Sequence, residues 1–129
     1  MKLNTIEEAI QDYKDGKFVI IVDDEDRENE GDITLAADFI TPEKINFMAL
    51  NARGLICVAI DGKILNKLNI PLMVDESNDS NYTAFTVSVD YIPGTTTGIS
   101  AEDRSKTVQG LIDDNAVSYT HLRAHETQR

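Results

Sequence analysis

The chain is poor in sulfur and histidine and has no tryptophan. Its one cysteine, Cys57, cannot form an intrachain disulfide, which suits a reducing compartment. Both histidines, His121 and His125, lie near the C-terminus, so chemistry within residues 1–116 must use carboxylates, hydroxyls, the thiol, Lys or Arg. No stretch approaches the roughly 20 apolar residues of a membrane span. The N-terminus, Met1-Lys2-Leu3-Asn4-Thr5, has no apolar signal core and runs straight into Glu7 and Glu8. A cytoplasmic protein is expected. Basic residues are scarce: 12 Lys and Arg stand against 23 Asp and Glu, a formal net charge of -11. That balance argues against nucleic-acid and anionic-membrane partners. It fits a protein that holds cations, and equally an ordinary acidic soluble protein.

Enough remains for a core. The 129 residues are 41% hydrophobic and 27% charged, which fits one globular domain and argues against disorder. Thr5 with Glu8 forms a capping-box signature, and Ile6, Ala9, Ile10 and Tyr13 follow at helical spacing, with Gly16 as the stop. Phe18–Val22 is an apolar, β-branched run that predicts a strand buried on both faces. A return strand is expected over Ile33–Ala37. Thr41-Pro42-Glu43 opens a second helix, with Ile45, Met48, Ala49 and Ala52 as its buried stripe and Gly54 as its stop.

Leu55–Ile60 reads as a second buried strand, followed by a short helix over Lys63–Leu68. Pro71–Tyr82 is mostly loop. Phe85, Val87 and Val89 alternate with Thr86 and Ser88, the pattern of a strand with one polar face. Pro93-Gly94 turns, and Ser100 with Asp103 opens a last helix to about Ile112. Helices alternating with apolar strands predict an α/β (mixed α+β) single domain, a central mixed sheet flanked by helices.

The segment Asp23-Asp24-Glu25-Asp26-Arg27-Glu28-Asn29-Glu30-Gly31-Asp32 directly follows the first strand and crowds seven carboxylates into ten residues. Crowded like charges raise one another's proton affinity unless cations are present. Hard cations such as Mg²⁺ take oxygen ligands, and a loop beyond the carboxyl end of a strand is where open α/β sheets bind ligands. The competing reading is a solvated charge run. An EF-hand is excluded, because no Glu closes the loop at the twelfth position counted from Asp24 or Asp26. Arg27 offers a planar fork to an oxyanion, and Gly31 permits a tight turn.

The final segment, Val117–Thr127, reads like the translation of a transposon-end adapter used in DNA sequencing libraries. Residues 117–129 are therefore set aside as a non-native tail. His121 and His125, four apart, would otherwise invite a metal-site reading. Without this tail the chain keeps 10 basic and 22 acidic residues.

The acidic segment at 23–32 resembles the signature loop of the dihydroxybutanone phosphate synthase family. Further stretches resemble that family in order: Gly54-Leu55-Ile56-Cys57, Pro71-Leu72-Met73-Val74, Thr83 to Asp90, and Thr96-Thr97-Gly98-Ile99-Ser100-Ala101-Glu102-Asp103-Arg104. The resemblance implies a lyase of riboflavin biosynthesis that converts ribulose 5-phosphate to 3,4-dihydroxy-2-butanone 4-phosphate and formate. It implies two Mg²⁺ or Mn²⁺ ions per site, with Glu28 as a metal ligand and Arg27, Glu28 and Asp32 in contact with the sugar phosphate. Asp23 matches an aspartate that takes part in proton transfer. Cys57 matches a thiol near the site, and a small buried hydrophobe is the rival account of it. Thr96 lies in a turn that runs into a helix N-terminus, where an anion is favoured; simple capping by Ser100 competes.

Tyr82-Thr83 stands where the family commonly has glycine-threonine. The family's later arginine-, glycine- and histidine-bearing segments, which include a second metal ligand, have no counterpart after Ala116, so residues 1–116 read as a partial domain. The resemblance further implies a homodimer. A parent that also carries a GTP cyclohydrolase II domain, or an acidic metal-binding or interaction module without catalysis, are the alternatives.

Overall fold

A computed structural model of the chain describes residues 3–26, 29–74, 84–117 and 122–124. The first helix, α1 (Ile6–Lys14), begins as its sequence dictates. The Glu8 N–H donates to Thr5 Oγ1 at 3.2 Å, and the Thr5 N–H donates to the Glu8 carboxylate at 2.8 Å. These reciprocal bonds satisfy two donors that a helix start leaves orphaned. After the helix Gly16 adopts φ +69°, and its α-carbon packs on the Phe39 ring, where a Cβ would meet carbon at 2.7 Å. Tyr13 hydrogen-bonds Thr34, whose hydroxyl donates to the Val19 carbonyl at 2.8 Å, so α1 is tied to the hairpin that follows.

That hairpin pairs β1 (Val19–Val22) antiparallel with β2 (Gly31–Thr34), in register from Val19 opposite Thr34 to Val22 opposite Gly31. The return strand therefore starts two residues earlier than the Ile33–Ala37 expectation and ends at Thr34, and Ala37–Phe39 forms a 3₁₀ turn. The expectation of burial on both faces of β1 is corrected too. Ile20 is 68% exposed, and Ile21 and Val22 are exposed as well. Among the described residues no layer covers them.

Thr41 caps α2 (Pro42–Asn51) by accepting the Lys44 N–H at 3.3 Å. Ile45, 1% exposed, anchors this helix, and Met48 is half-buried. Ala49 and Ala52 are exposed, so the buried stripe is narrower than the periodicity predicts. Arg53, at φ 58°, is the left-handed residue after the helix; Gly54 does not take that role. Residues 55–60 run without regular structure, and among the described residues they have no ladder partner, contrary to the predicted second strand. Their burial still alternates: Ile56, Val58 and Ile60 are half-buried, while Leu55, Cys57 and Ala59 are exposed.

Asp61 caps α3 (Gly62–Leu68), accepting the Lys63 and Ile64 N–H groups at 2.8 and 3.0 Å. Leu72 bridges Thr86, and β3 (Val89–Tyr91) follows. The last helix, α4 (Ala101–Ile112), starts at Ser100 as predicted, and the Asp103 N–H donates to Ser100 Oγ at 3.0 Å. It packs against α2 and β3. Gly110 makes room for the Tyr91 ring; a Cβ there would fall 2.3 Å from a ring carbon.

Residues set aside as a tail do take part in the fold. β4 (Leu122–Ala124) pairs antiparallel with β3, and Leu122, 8% exposed, joins Leu68, Ile70, Leu111 and Ala116 in one core cluster. Ile40, Ile45 and Val108 form the other cluster. Four helices and antiparallel strands make the mixed α/β class that the sequence predicts. Among the described residues its β structure is two two-stranded ladders, β1–β2 and β3–β4.

Candidate active site at the acidic loop

The acidic loop joins β1 to β2 beyond the carboxyl end of β1. Asp23 is half-buried at its base, and its Oδ1 accepts the Glu30 N–H at 2.9 Å. Asp24, Glu25 and Asp26 are exposed, as is Glu30. Asn29 takes φ 50°, a left-handed conformation that asparagine tolerates better than most residues. Arg27 and Glu28 lie outside the described residues.

Asp32 stands on β2 opposite Ile21 and is exposed. Its negative charge reaches Cys57 on the neighbouring 55–60 segment. Partial desolvation of the sulfur and, second, the Asp32 carboxylate push the Cys57 thiol above its ordinary range. The residue as a whole is exposed, so the buried-hydrophobe account of Cys57 does not describe it. The Asp32 carboxylate, 25 positions away in sequence, thus acts electrostatically on the Cys57 thiol.

Thr96 is engaged elsewhere. Its N–H and hydroxyl donate to Asp103 Oδ2 at 3.2 and 2.9 Å, and the Gly98 N–H joins them at 3.0 Å. Burial alone would raise the Asp103 pKa. The three hydrogen bonds outweigh it, Lys106 adds to them, and the carboxyl is held below its usual range. The anion on this turn is the chain's own carboxylate, which goes beyond capping by Ser100. Sequence reasoning gave Asp103 only a place at the helix start. A carboxylate one turn into a helix that follows a Thr/Gly turn was the available signal. The buried Asp90 beside Gly98 was also missed.

Among the described residues no three His, Cys, Asp or Glu side chains converge as a metal site would require. They do not by themselves form a cage for a divalent cation.

A mixed α/β domain with a carboxylate-rich hairpin loop beside an aspartate and a thiol defines a class: a small acidic domain that presents oxygen donors at a sheet edge. Comparison with known proteins makes this specific. The sequence model of 3,4-dihydroxy-2-butanone 4-phosphate synthase matches residues 7–124. The enzyme of that name from Agrobacterium fabrum is 60% identical over 116 residues, 90% of this chain and 54% of its own length. Riboflavin biosynthesis protein RibBA of Synechocystis is 58% identical over 112 residues, 85% of this chain and 20% of its own length. A solved 3,4-dihydroxy-2-butanone 4-phosphate synthase in complex with two magnesium ions superposes with a TM-score of 0.89 at 40% identity, over 95% of this chain and 58% of that one. The chain belongs to the 3,4-dihydroxy-2-butanone 4-phosphate synthase family. It spans about half the length of the Agrobacterium relative.

Proposed function

We propose that this chain is the loop-bearing part of a lyase that converts ribulose 5-phosphate to 3,4-dihydroxy-2-butanone 4-phosphate and formate. The observation that supports this best is the Asp23–Asp32 loop itself, held at the end of the β1–β2 hairpin with the Glu30 N–H bonded to the Asp23 carboxylate, in a chain of this family. In this reading Arg27 and Glu28 contact the sugar phosphate and Asp32 binds a sugar hydroxyl, while Thr96, whose N–H and hydroxyl are both given to Asp103, is left out of the phosphate contacts. Mg²⁺ or Mn²⁺ is the proposed cofactor, with Glu28 as one ligand; the family relative solved with two magnesium ions supports the choice of metal. Desolvation and, second, the Asp32 charge push the Cys57 thiol further up, which lowers its thiolate fraction at neutral pH.

The complete protein is proposed to be a cytoplasmic homodimer. No helix of the described residues is long and apolar enough to cross a membrane. The similarity to RibBA, of which this chain spans 20%, supports a second reading in which a GTP cyclohydrolase II domain follows in the same polypeptide. The native gene sequence beyond Ala116 decides between the two.

The test is formate release from ribulose 5-phosphate by the complete parent protein, with Mg²⁺ and then with a chelator. Turnover that stops on chelation is expected, and Glu28→Gln is expected to remove most of it with the fold retained. Full turnover by Glu28→Gln ends the metal assignment; no turnover with Mg²⁺ or Mn²⁺ ends the lyase reading in favour of a binding module.

A further inference from the structure

Asp23 and Glu30 are the next pair beyond Val22–Gly31 in the β1–β2 register. In a regular antiparallel pair of the hydrogen-bonded kind, the two residues exchange both N–H···O bonds through their backbones. Here half of that exchange is kept: the Asp23 N–H donates to the Glu30 carbonyl at 3.3 Å. The returning N–H, that of Glu30, donates to the Asp23 side chain, Oδ1, at 2.9 Å. The carboxylate stands in for its own main-chain carbonyl. Immediately before Glu30, Asn29 turns through φ 50°, so the backbone leaves strand geometry at the residue that precedes the substituted bond.

We propose that Asp23 is a positioning residue for the acidic loop, ending the β1–β2 ladder at one fixed pair and locking its two strand ends together. It acts through the Glu30 backbone, and a carboxylate does this better than a neutral acceptor because a charged acceptor strengthens the bond. This role needs an oxygen at the Oδ1 position and does not need a titrating group. Its value to cation binding rests on the reading proposed above.

Two substitutions separate the possibilities in the complete parent protein. Asp23→Asn keeps an acceptor oxygen without the charge, and Asp23→Ala removes the acceptor. The readout is hydrogen exchange of the Glu30 amide, referred to the Ile45 amide, which bonds Thr41 O within the other core cluster and reports on the fold at large. Exchange at Glu30 is expected to rise about tenfold in Asp23→Ala and to stay within about threefold in Asp23→Asn. Equal acceleration in both variants, or none in Asp23→Ala, overturns the proposal. A Mn²⁺ titration, followed by line broadening of the Glu30 amide, tests the cation reading separately. Selective broadening in the unsubstituted chain supports that reading. Its absence, with the exchange pattern intact, removes the cation reading and leaves the positioning role in place.

Discussion

Gly98 sits so close to Asp90 that a methyl group on its α-carbon would lie 2.2 Å from the Asp90 carboxylate. Its φ of +81° is one that residues with side chains rarely adopt. Gly98→Ala therefore meets two penalties at once, steric overlap with a buried acid and backbone strain. A destabilisation of about 2–4 kcal/mol is expected, read as a shift of the denaturant midpoint. A neutral result would mean that Asp90 swings aside at no cost.

Asp103 carries a pH dependence whose sign is fixed. Its folded pKa is depressed, so its contribution is present above the ordinary aspartate range, near about pH 4, and is lost as pH falls through the folded value. Asp103→Asn is expected to flatten the acid limb of the stability–pH curve and to cost about 1–3 kcal/mol at neutral pH. An unchanged acid limb would assign it to other carboxylates.

The thiol of Cys57 offers a chemical readout. Its raised pKa means less thiolate at pH 7, so alkylation by iodoacetamide is expected to be slower than for a free cysteine. Asp32→Asn removes the second of its two causes and is expected to speed alkylation by less than about tenfold, because desolvation remains. A slower reaction in Asp32→Asn would contradict the proximity of the two residues.

Leu122 tests whether residues 117–129 belong to the folding unit. It is buried against Leu68 and Leu111, so Leu122→Ala is expected to cost about 2–4 kcal/mol, and deletion of residues 117–129 at least as much. Equal stability of residues 1–116 and residues 1–129 in a denaturant titration would support the tail assignment made from sequence. The family match, which extends to residue 124, favours a loss.

Helix starts were the most legible part of this molecule, because a cap is a local interaction. Thr5, Thr41 and Ser100 each accept the N–H expected of them. Strand burial was poorly legible, since an apolar run such as Phe18–Val22 states what wants covering and not what covers it. Ile20 and Leu55 are exposed despite sequences that read as two-faced core. The stop of α2 fell to Arg53 instead of Gly54, a one-residue shift that propensity does not resolve. At the site, the acidic loop was legible from its composition. The Asp32–Cys57 relationship depends on how distant segments fold back and left no trace in the residue order, whereas Thr96–Asp103 is a local turn-to-helix contact whose signal was the carboxylate one turn into the helix. Arg27 and Glu28, on which the functional reading leans most, are outside the described residues.

Ile20, Ile21, Val22 and Leu55 are all exposed, Leu55 to 80%. β1 and β2 form a ladder of two strands among the described residues, so each has an edge without a described strand beside it. Apolar surface of this kind associates, and open strand edges template pairing with other chains. Each large side chain left in water forgoes roughly 1.5–3 kcal/mol, and several together rival a typical domain stability of about 5–15 kcal/mol. The 129-residue chain is therefore expected to self-associate at micromolar concentration, to bind a hydrophobic dye, and to release no formate from ribulose 5-phosphate with Mg²⁺. Ile20→Lys with Leu55→Lys is expected to reduce both association and dye binding. A stable, dye-free monomer by sedimentation would show that this surface is tolerated in water, and measurable turnover would show that half the length of its relatives suffices for catalysis.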